Sequence, residues 1–256
     1  MNSEWVKAMK TYEQLLSKYL VFGIFLALFL STMCSSSNEI LNNNPEDDIP
    51  TLQLPVEGTW KVLDSPGHDR FEFDLVAVDP QTGRSLKKSR LDHLFGNIEA
   101  NETYSWEEPV YAPANGVVVR SNHDSPDRLT LSLARDVWNM VLSTPEFNPN
   151  DISPFAGNYV IIRAQDVYIF LAHFKQNSLI VKEGDSVNKG EIIARVGNSG
   201  LSMQPHLHIQ LMDQIEDFES AKAPAFLINS FEYQTDNRWK SVSNHILQKS
   251  QIIRNY

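Results

Sequence analysis

Short apolar segments separated by glycines limit what this chain can fold into. Phe71, Phe73 and Leu75 are separated by Glu72 and Asp74, which is the period-2 alternation of a half-buried strand. Further strand-like segments lie at residues 117–119, 159–162, 167–174, 192–196 and 207–211, with glycines between them. We therefore predict an all-β, mainly antiparallel domain of sandwich or barrel type.

Two longer stretches interrupt the strand pattern, and we interpret both as insertions into the β scaffold. Residues 79–108 are polar and predict a solvated loop, whereas apolar side chains between Leu131 and Leu142 in the stretch 126–156 have helical spacing. The predicted organisation is a signal peptide or membrane anchor at 1–34, a flexible polar tether at 35–50, the β domain at 51–235 with insertions near 79–108 and 126–156, and a C-terminal tail at 236–256.

The amino terminus has the pattern of an exported protein. Lysines at positions 7, 10 and 18 precede an uncharged apolar run at residues 19–33. This run fits a secretory signal and is shorter than the roughly 20 residues of a membrane span, so a cleaved signal and a short uncleaved anchor both remain open. Either interpretation places the domain in the cell envelope, on the outer side of the membrane to which it is tethered.

Cys34 is the single cysteine and directly follows the apolar run. One cysteine excludes an internal disulfide. Cleavage before Cys34 would leave an N-terminal thiol for acylation, as in a lipoprotein. The alternative is that Cys34 is incidental to the signal. The polar stretch after it cannot bury enough apolar surface to offset its ordering entropy, and we interpret it as a tether.

The charge balance argues against nucleic acid as a partner. The formal net charge is −10 at pH 7, and no dense block of Lys and Arg is present. Because binding to a phosphate backbone requires a cluster of cations, we expect no nucleic-acid partner.

The histidines are the residues that indicate a metal site. On a strand, His206, His208 and Gln210 share one face, while the intervening apolar residues share the other. His173 lies in another apolar strand, and taken alone it is more simply a buried structural residue. His68 precedes the strand that contains Asp74. Imidazole and carboxylate are both zinc ligands, and a catalytic zinc site needs three protein ligands and an open fourth position.

Several motifs, taken in their order along the chain, together resemble the lysostaphin and LytM type of zinc peptidases, which cut peptides in bacterial cell walls. The resemblance spans roughly residues 66–212. Its parts are Gly67-His68, Phe73-Asp74-Leu75, residues 109–118, residues 157–162, Ala172-His173-Phe174, residues 183–191, Gly197-Asn198-Ser199-Gly200 and Pro205-His206-Leu207-His208. The resemblance implies a barrel-sandwich hybrid fold and a zinc metalloendopeptidase that acts on peptidoglycan peptides.

Carried over to this sequence, the resemblance makes His68, Asp74 and His208 the ligands of one Zn²⁺ ion, and His173 and His206 the catalytic pair. One spacing departs from the family: five residues separate His68 from Asp74, where three are most common. Glu72 sits at the common spacing and is the alternative ligand. We favour Asp74, because an aspartate within an apolar strand is the family pattern.

Two functions from other classes compete with this one. A noncatalytic LytM-like module would bind or activate other cell-wall hydrolases, but such modules usually lack ligands that are all present here. A biotinyl or lipoyl carrier has a hairpin similar to residues 184–191, but it needs a lysine at an exposed turn, and none is so placed.

Overall fold

A computed structural model describes residues 49–65, 67–88, 98–132, 135–136, 148, 151–236 and 238–255. Contacts divide the chain into two units, Met1–Glu46 and Asp47–Tyr256, and every described residue belongs to the second. The predicted signal or anchor at 1–34, Cys34 and nearly all of the predicted tether therefore lie outside the described residues. Within the described part, no helix has the length and apolarity needed to cross a membrane.

Strands dominate the part of the chain that the structure describes. Its helical residues are a 3₁₀ turn, Ala100–Glu102, a short α-helix, α1, Ser153–Ala156, and the pair Arg135 and Asp136. The strands are β1 Thr51–Leu52, β2 Gly58–Val62, β3 Phe73–Ala77, β4 Ile98–Glu99, β5 Pro109–Tyr111, β6 Gly116–Asn122, β7 Thr130–Leu131, β8 Asn158–Ala164, β9 Val167–Phe174, β10 Ser186–Val187, β11 Ile192–Arg195, β12 Leu207–Met212, β13 Leu227–Thr235, β14 Arg238–His245 and β15 Ile252–Asn255.

One large sheet has the strand order β1-β13-β15-β2-β3-β12-β9-β8-β6-β10, with β14 paired to β13. Only β1 and β13 run parallel among the pairs of described strands. The pairs β5–β11 and β4–β7 form two small sheets. The predicted all-β, mainly antiparallel class is confirmed.

A buried core lies on the inner face of the large sheet. Leu75 of β3 and Leu171 of β9 join one cluster with Val110 of β5 and Ile193 of β11. The small β5–β11 sheet therefore packs against the large sheet as a second layer, in the manner of a sandwich. The strands near the site are long enough to alternate between this inner face and an outer face.

Three details of the predicted organisation differ from the structure. The strand that contains Asp74 is buried at all five positions, not half-buried, because histidines and neighbouring loops cover its outer face. Residues 79–108 are not simply a solvated loop, since Leu86 and Ile98 form a small buried cluster with Leu131. In the predicted helix, Leu131 instead ends strand β7. Arg135 and Asp136 are helical, and the other positions lie outside the described residues.

The residues expected to form a C-terminal tail belong to the sheet. β14 forms a hairpin with β13, and β15 lies between β13 and β2. Ile253 is fully buried in the main core. The domain therefore continues past Thr235, because β15 supplies both core side chains and the backbone hydrogen bonds that β2 needs.

Candidate metal centre

Strand pairing brings the predicted site residues to one place on the outer face of the large sheet. Asp74 of β3 lies directly opposite His208 of β12, and His208 lies opposite Ala172 of β9. Opposite residues in antiparallel strands point to the same face. His206 lies two positions before His208 and shares that face by alternation.

His173 reaches this face by a departure from regular strand geometry. Strict alternation after Ala172 would turn His173 toward the inner face. The pairing of β8 with β9 instead shifts register between Asn158 and Tyr159, so His173 is an extra residue on β9. Its φ of 65° is in the left-handed region, which is uncommon for a residue other than glycine. This β-bulge re-aims the imidazole toward the other histidines.

The three predicted metal ligands converge. His208 Nδ1 is 2.9 Å from Asp74 Oδ1, and His68 Nδ1 is 3.4 Å from Asp74 Oδ2. One ligand atom from each of the three residues lies within 4.8 Å of the others. Ligand atoms about 2.0–2.1 Å from a tetrahedral zinc are separated by roughly 3.4 Å, so this spacing fits one ion.

His68 provides an independent sign that a cation belongs here. Its Nδ1 is buried and has no hydrogen-bond partner among the described residues. Leaving a buried polar atom unpaired is unfavourable, and coordination of a metal ion would satisfy it. Burial also lowers the pKa of His68, with the charge of Asp74 opposing that effect, so the ring favours its neutral, ligating form.

Electrostatics keep Asp74 ionised. Burial raises the pKa of its carboxyl, but the nearby His206 and the hydrogen bond from His208 lower it far below its usual range. Ser65 Oγ donates to Asp74 Oδ2 at 2.5 Å and fixes the carboxylate. The site therefore presents a permanent negative charge among imidazoles.

Gln210 orients His208. Gln210 Oε1 accepts a hydrogen bond from His208 Nε2 at 2.7 Å. When His208 is neutral, this bond puts its single proton on Nε2 and leaves the Nδ1 lone pair facing Asp74 and His68. A neighbour that fixes the tautomer of a ligating imidazole is a common feature of metal sites.

His173 and His206 form a second pair beside the ligands. His173 Nδ1 donates to the Ser199 carbonyl at 2.9 Å, and His206 Nδ1 donates to the Gln204 carbonyl at 2.8 Å. Because a carbonyl only accepts, each Nδ1 bears a proton and each neutral ring keeps its lone pair on Nε2. Burial holds the pKa of His173 well below its ordinary value, so this ring stays neutral.

Ser202 and Asn198 were not identified as site residues from the sequence. Ser202 Oγ lies 3.0 Å from His206 Nδ1 and donates to Asn198 Oδ1 at 2.8 Å. Ser65 was also missed, because a lone serine near a histidine has no distinctive pattern. Gln210 could have been identified from the sequence, since it shares a strand face with His206 and His208.

Glu72, the alternative ligand, does not join the group. Its carboxylate accepts the Asp69 backbone N–H at 3.1 Å and stabilises the turn before β3. Only His68, Asp74 and His208 form a group with metal-ligand spacing within the described part of the chain.

Residues 101–220 match the model of peptidase family M23. The chain contains an M23 peptidase domain. The matched range includes His173, His206 and His208 and begins after His68 and Asp74. The large sheet joins the two parts, because Asp74 pairs with His208 across β3 and β12.

Similar proteins include a peptidoglycan endopeptidase and an endolysin. Peptidoglycan DD-endopeptidase ShyA of Vibrio cholerae is 31% identical over 172 residues, which is 67% of this chain and 29% of ShyA. Endolysin 2638A of Staphylococcus phage 2638A is 38% identical over 74 residues, which is 28% of this chain and 15% of the endolysin. The chain spans less than a third of the length of these curated relatives.

Among solved structures, the catalytic domain of lysostaphin from Staphylococcus simulans matches 68% of this chain and 89% of that domain. The sequence identity is 17% and the TM-score is 0.35.

Proposed function

We propose that the M23 domain is a zinc-dependent metalloendopeptidase that hydrolyses peptide bonds in peptidoglycan cross-links or stem peptides. The observation that supports this most is the position of the His68–Asp74–His208 group beside His173 and His206. Both of these rings donate from Nδ1 to a carbonyl, which leaves the Nε2 lone pair to accept a proton. A zinc ion held by the three ligands would supply Lewis-acid polarisation of a peptide carbonyl and of water.

His206 is placed to move a proton. Its Nε2 lies 3.4 Å from Asp74 Oδ1 and so faces the ligand group, while its Nδ1–H is held by Gln204. In this tautomer, Nε2 accepts a proton from the attacking water and later donates it to the leaving amine.

His173 supplies a second acceptor next to His206. The two ring centroids are 4.4 Å apart. Two neighbouring acceptors can bind both hydrogens of one water molecule and orient its lone pair toward the scissile carbonyl. The low pKa of His173 keeps it in the accepting form.

The substrate and location rest on the similar proteins and on the amino terminus. ShyA is a peptidoglycan DD-endopeptidase. An exported domain tethered by an N-terminal anchor or by a lipid on Cys34 would meet peptidoglycan in the cell envelope.

The first test is to incubate the zinc-loaded full chain with peptidoglycan sacculi and to identify released muropeptides by mass spectrometry. New peptide termini from the native protein, absent with His206→Ala, would establish an endopeptidase and its bond. A folded, zinc-bound protein that releases nothing would contradict catalysis and favour a noncatalytic module that binds or activates other hydrolases.

The lipid anchor has a separate test. In cells, globomycin should block processing of the native protein, and the mature protein should be heavier by an acyl modification that Cys34→Ser removes. Identical masses for the two proteins would exclude lipidation of Cys34.

A further inference from the structure

A row of side chains runs from the proposed catalytic histidine across three strands. Lys61 of β2 lies directly opposite Val76 of β3. Leu207 is paired with Leu75, so the preceding residue, His206, continues the row beside Val76. Strands are about 4.8 Å apart, which places Lys61 roughly 10 Å from His206 on the same face of the sheet.

At the far end of this row is a pocket, here called the basic pocket. It is open to solvent. Its walls come from β2, from the end of β3 and from residues 83–88 of the predicted insertion at 79–108. They include Lys61, Val76, Val78, Arg84, Ser85 and Lys88. Apolar walls with a few polar groups are typical of sites that bind small ligands or side chains.

The basic pocket adjoins the segment that holds His206. Ser85 Oγ donates to Gln204 Oε1 at 3.4 Å, and the Gln204 carbonyl accepts the His206 Nδ1–H. A ligand in the pocket and a scissile bond at His206 would therefore lie along one surface.

The charge of the pocket is positive. Lys88 is paired with Glu102 at 2.7 Å. Lys61 and Arg84 have no carboxylate within ion-pair distance in the described part of the chain. Arg84 is instead held in place by donating to the Lys88 carbonyl. Two cations without a counter-ion among the described residues, in a chain of net charge −10, favour a bound anion.

We propose that the basic pocket binds a carboxylate of the substrate peptide, and so selects peptides that bear one at a defined distance from the scissile bond. The inference rests on the proposed peptidase function and adds the substrate class. An extended peptide covers about 3.3–3.6 Å per residue, so 10 Å places this carboxylate about three residues from the cleaved bond. Arg84 and Lys61 are specificity-determining residues, with Arg84 suited to a two-point contact with the carboxylate.

The experiment compares peptides that differ only by Glu or Gln at the third residue, on either side of one scissile bond. The zinc-loaded native chain is expected to have a kcat/KM about tenfold higher for the Glu peptide of one pair, as expected for one charge-assisted contact. Arg84→Gln and Lys61→Gln should each remove most of this preference. Lys87→Gln is the matched control, because Lys87 lies over the Tyr104 ring outside the pocket.

Binding of the same peptides to the zinc-loaded His206→Ala variant separates this inference from the proposed function. Cleavage without any preference for Glu would overturn the basic pocket as a carboxylate site while supporting the peptidase. Binding that prefers Glu and loses this preference with Arg84→Gln, without cleavage by the native chain, would support the pocket and contradict the peptidase. Equal melting temperatures of all variants would exclude misfolding as the cause.

Discussion

His173 lies on β9 and His206 directly precedes β12, yet both rings donate from Nδ1 to carbonyls of one short segment, at Ser199 and Gln204. Their centroids are 4.4 Å apart. The Asp74 carboxylate accepts hydrogen bonds from Ser65 and His208. The geometry thus separates the pair proposed to move protons from the group proposed to hold the metal.

We expect His206→Ala and His173→Ala each to lower kcat by about 10²–10⁴, the usual contribution of a positioned acid–base group. Zinc content should stay near that of the native protein. Because both histidines serve one water, the double variant should lose far less than the product of the two single effects. Steady-state hydrolysis and metal analysis of the same preparations test this. Loss of zinc from either single variant would mean that the residue is a ligand.

Replacement of Asp74 should affect metal binding, and replacement of Glu72 should not. Asp74→Asn removes the charge that His68 and His208 face, and we expect a fall in zinc affinity of at least about 100-fold. Glu72→Gln is the matched control, since the Glu72 carboxylate accepts the Asp69 N–H and lies outside the group with metal-ligand spacing. Competition with a fluorescent zinc chelator measures both. The opposite ranking would make Glu72 the ligand.

Zinc binding should release a proton near neutral pH. Burial lowers the pKa of His208, but its hydrogen bond to Asp74 and the charge of Asp74 outweigh this and raise it above 6.5. Below this raised pKa, His208 in the metal-free protein therefore carries a second proton, on Nδ1, and this proton must leave before Nδ1 can coordinate zinc. The zinc association constant should rise up to about tenfold per pH unit and flatten above the raised pKa. Asp74 does not contribute to the pH dependence of zinc affinity, because its pKa is far below this pH range.

Titration with zinc at several pH values, in buffers of different ionisation enthalpy, counts the protons released. The raised pKa of His208 also changes how the stability of the metal-free protein depends on pH. The contribution of His208 is fully present below its unfolded pKa of about 6.5 and is lost as pH rises through its raised folded value. An affinity that does not change between pH 6 and 7.5 would contradict this assignment.

Much of the site could be predicted from the sequence because two strands have clear alternation. Residues 207–211 and 167–174 were recognised as strands, and alternation correctly put His206, His208 and Gln210 on one face. The orientation of His173 could not be predicted in this way. It depends on a bulge with φ of 65° on β9, and no local residue type signals it.

The remainder of the fold is set by long-range pairing. β14 is largely exposed and has little apolar alternation, so its pairing with β13 is visible only in three dimensions. The two insertions, treated separately in the sequence, meet where Ile98 of β4 pairs with Leu131 of β7. Nothing near either position in the sequence specifies its partner.

Gln210 should control zinc affinity through His208. Gln210→Leu removes the acceptor of the Nε2–H, so His208 can change tautomer, and we expect zinc to bind about 10–100-fold more weakly. Gln210→Glu keeps an acceptor, adds a charge and should bind zinc at least as tightly as the native protein. Chelator competition distinguishes the variants without any substrate. Equal affinities for Gln210→Leu and the native protein would show that Gln210 does not orient the ligand.

Gly157 supports the proposed catalytic histidines by allowing close backbone contact. Its φ and ψ are 64° and −129°, a conformation that favours glycine. A Cβ there would lie 2.3 Å from Ser199 Oγ and 2.4 Å from Ser199 C. Ser199 in turn holds His173 through its carbonyl and Phe174 through its hydroxyl, at 2.9 and 2.7 Å. Displacing Ser199 would therefore move His173.

Gly157→Ala should lower the free energy of unfolding by about 3 kcal/mol, from backbone strain and overpacking together. For a domain of this size that is a fall in Tm of roughly 10 °C. At temperatures well below the melting temperature, activity should also fall, because His173 is displaced in the folded protein.

Gly184→Ala is the matched control. Gly184 has a φ of 90° and open space at its Cβ, so strain alone should cost about 1 kcal/mol with activity intact. Melting curves and hydrolysis rates of both variants test this. Equal losses of stability, or full activity of folded Gly157→Ala, would show that the contact with Ser199 does not position His173.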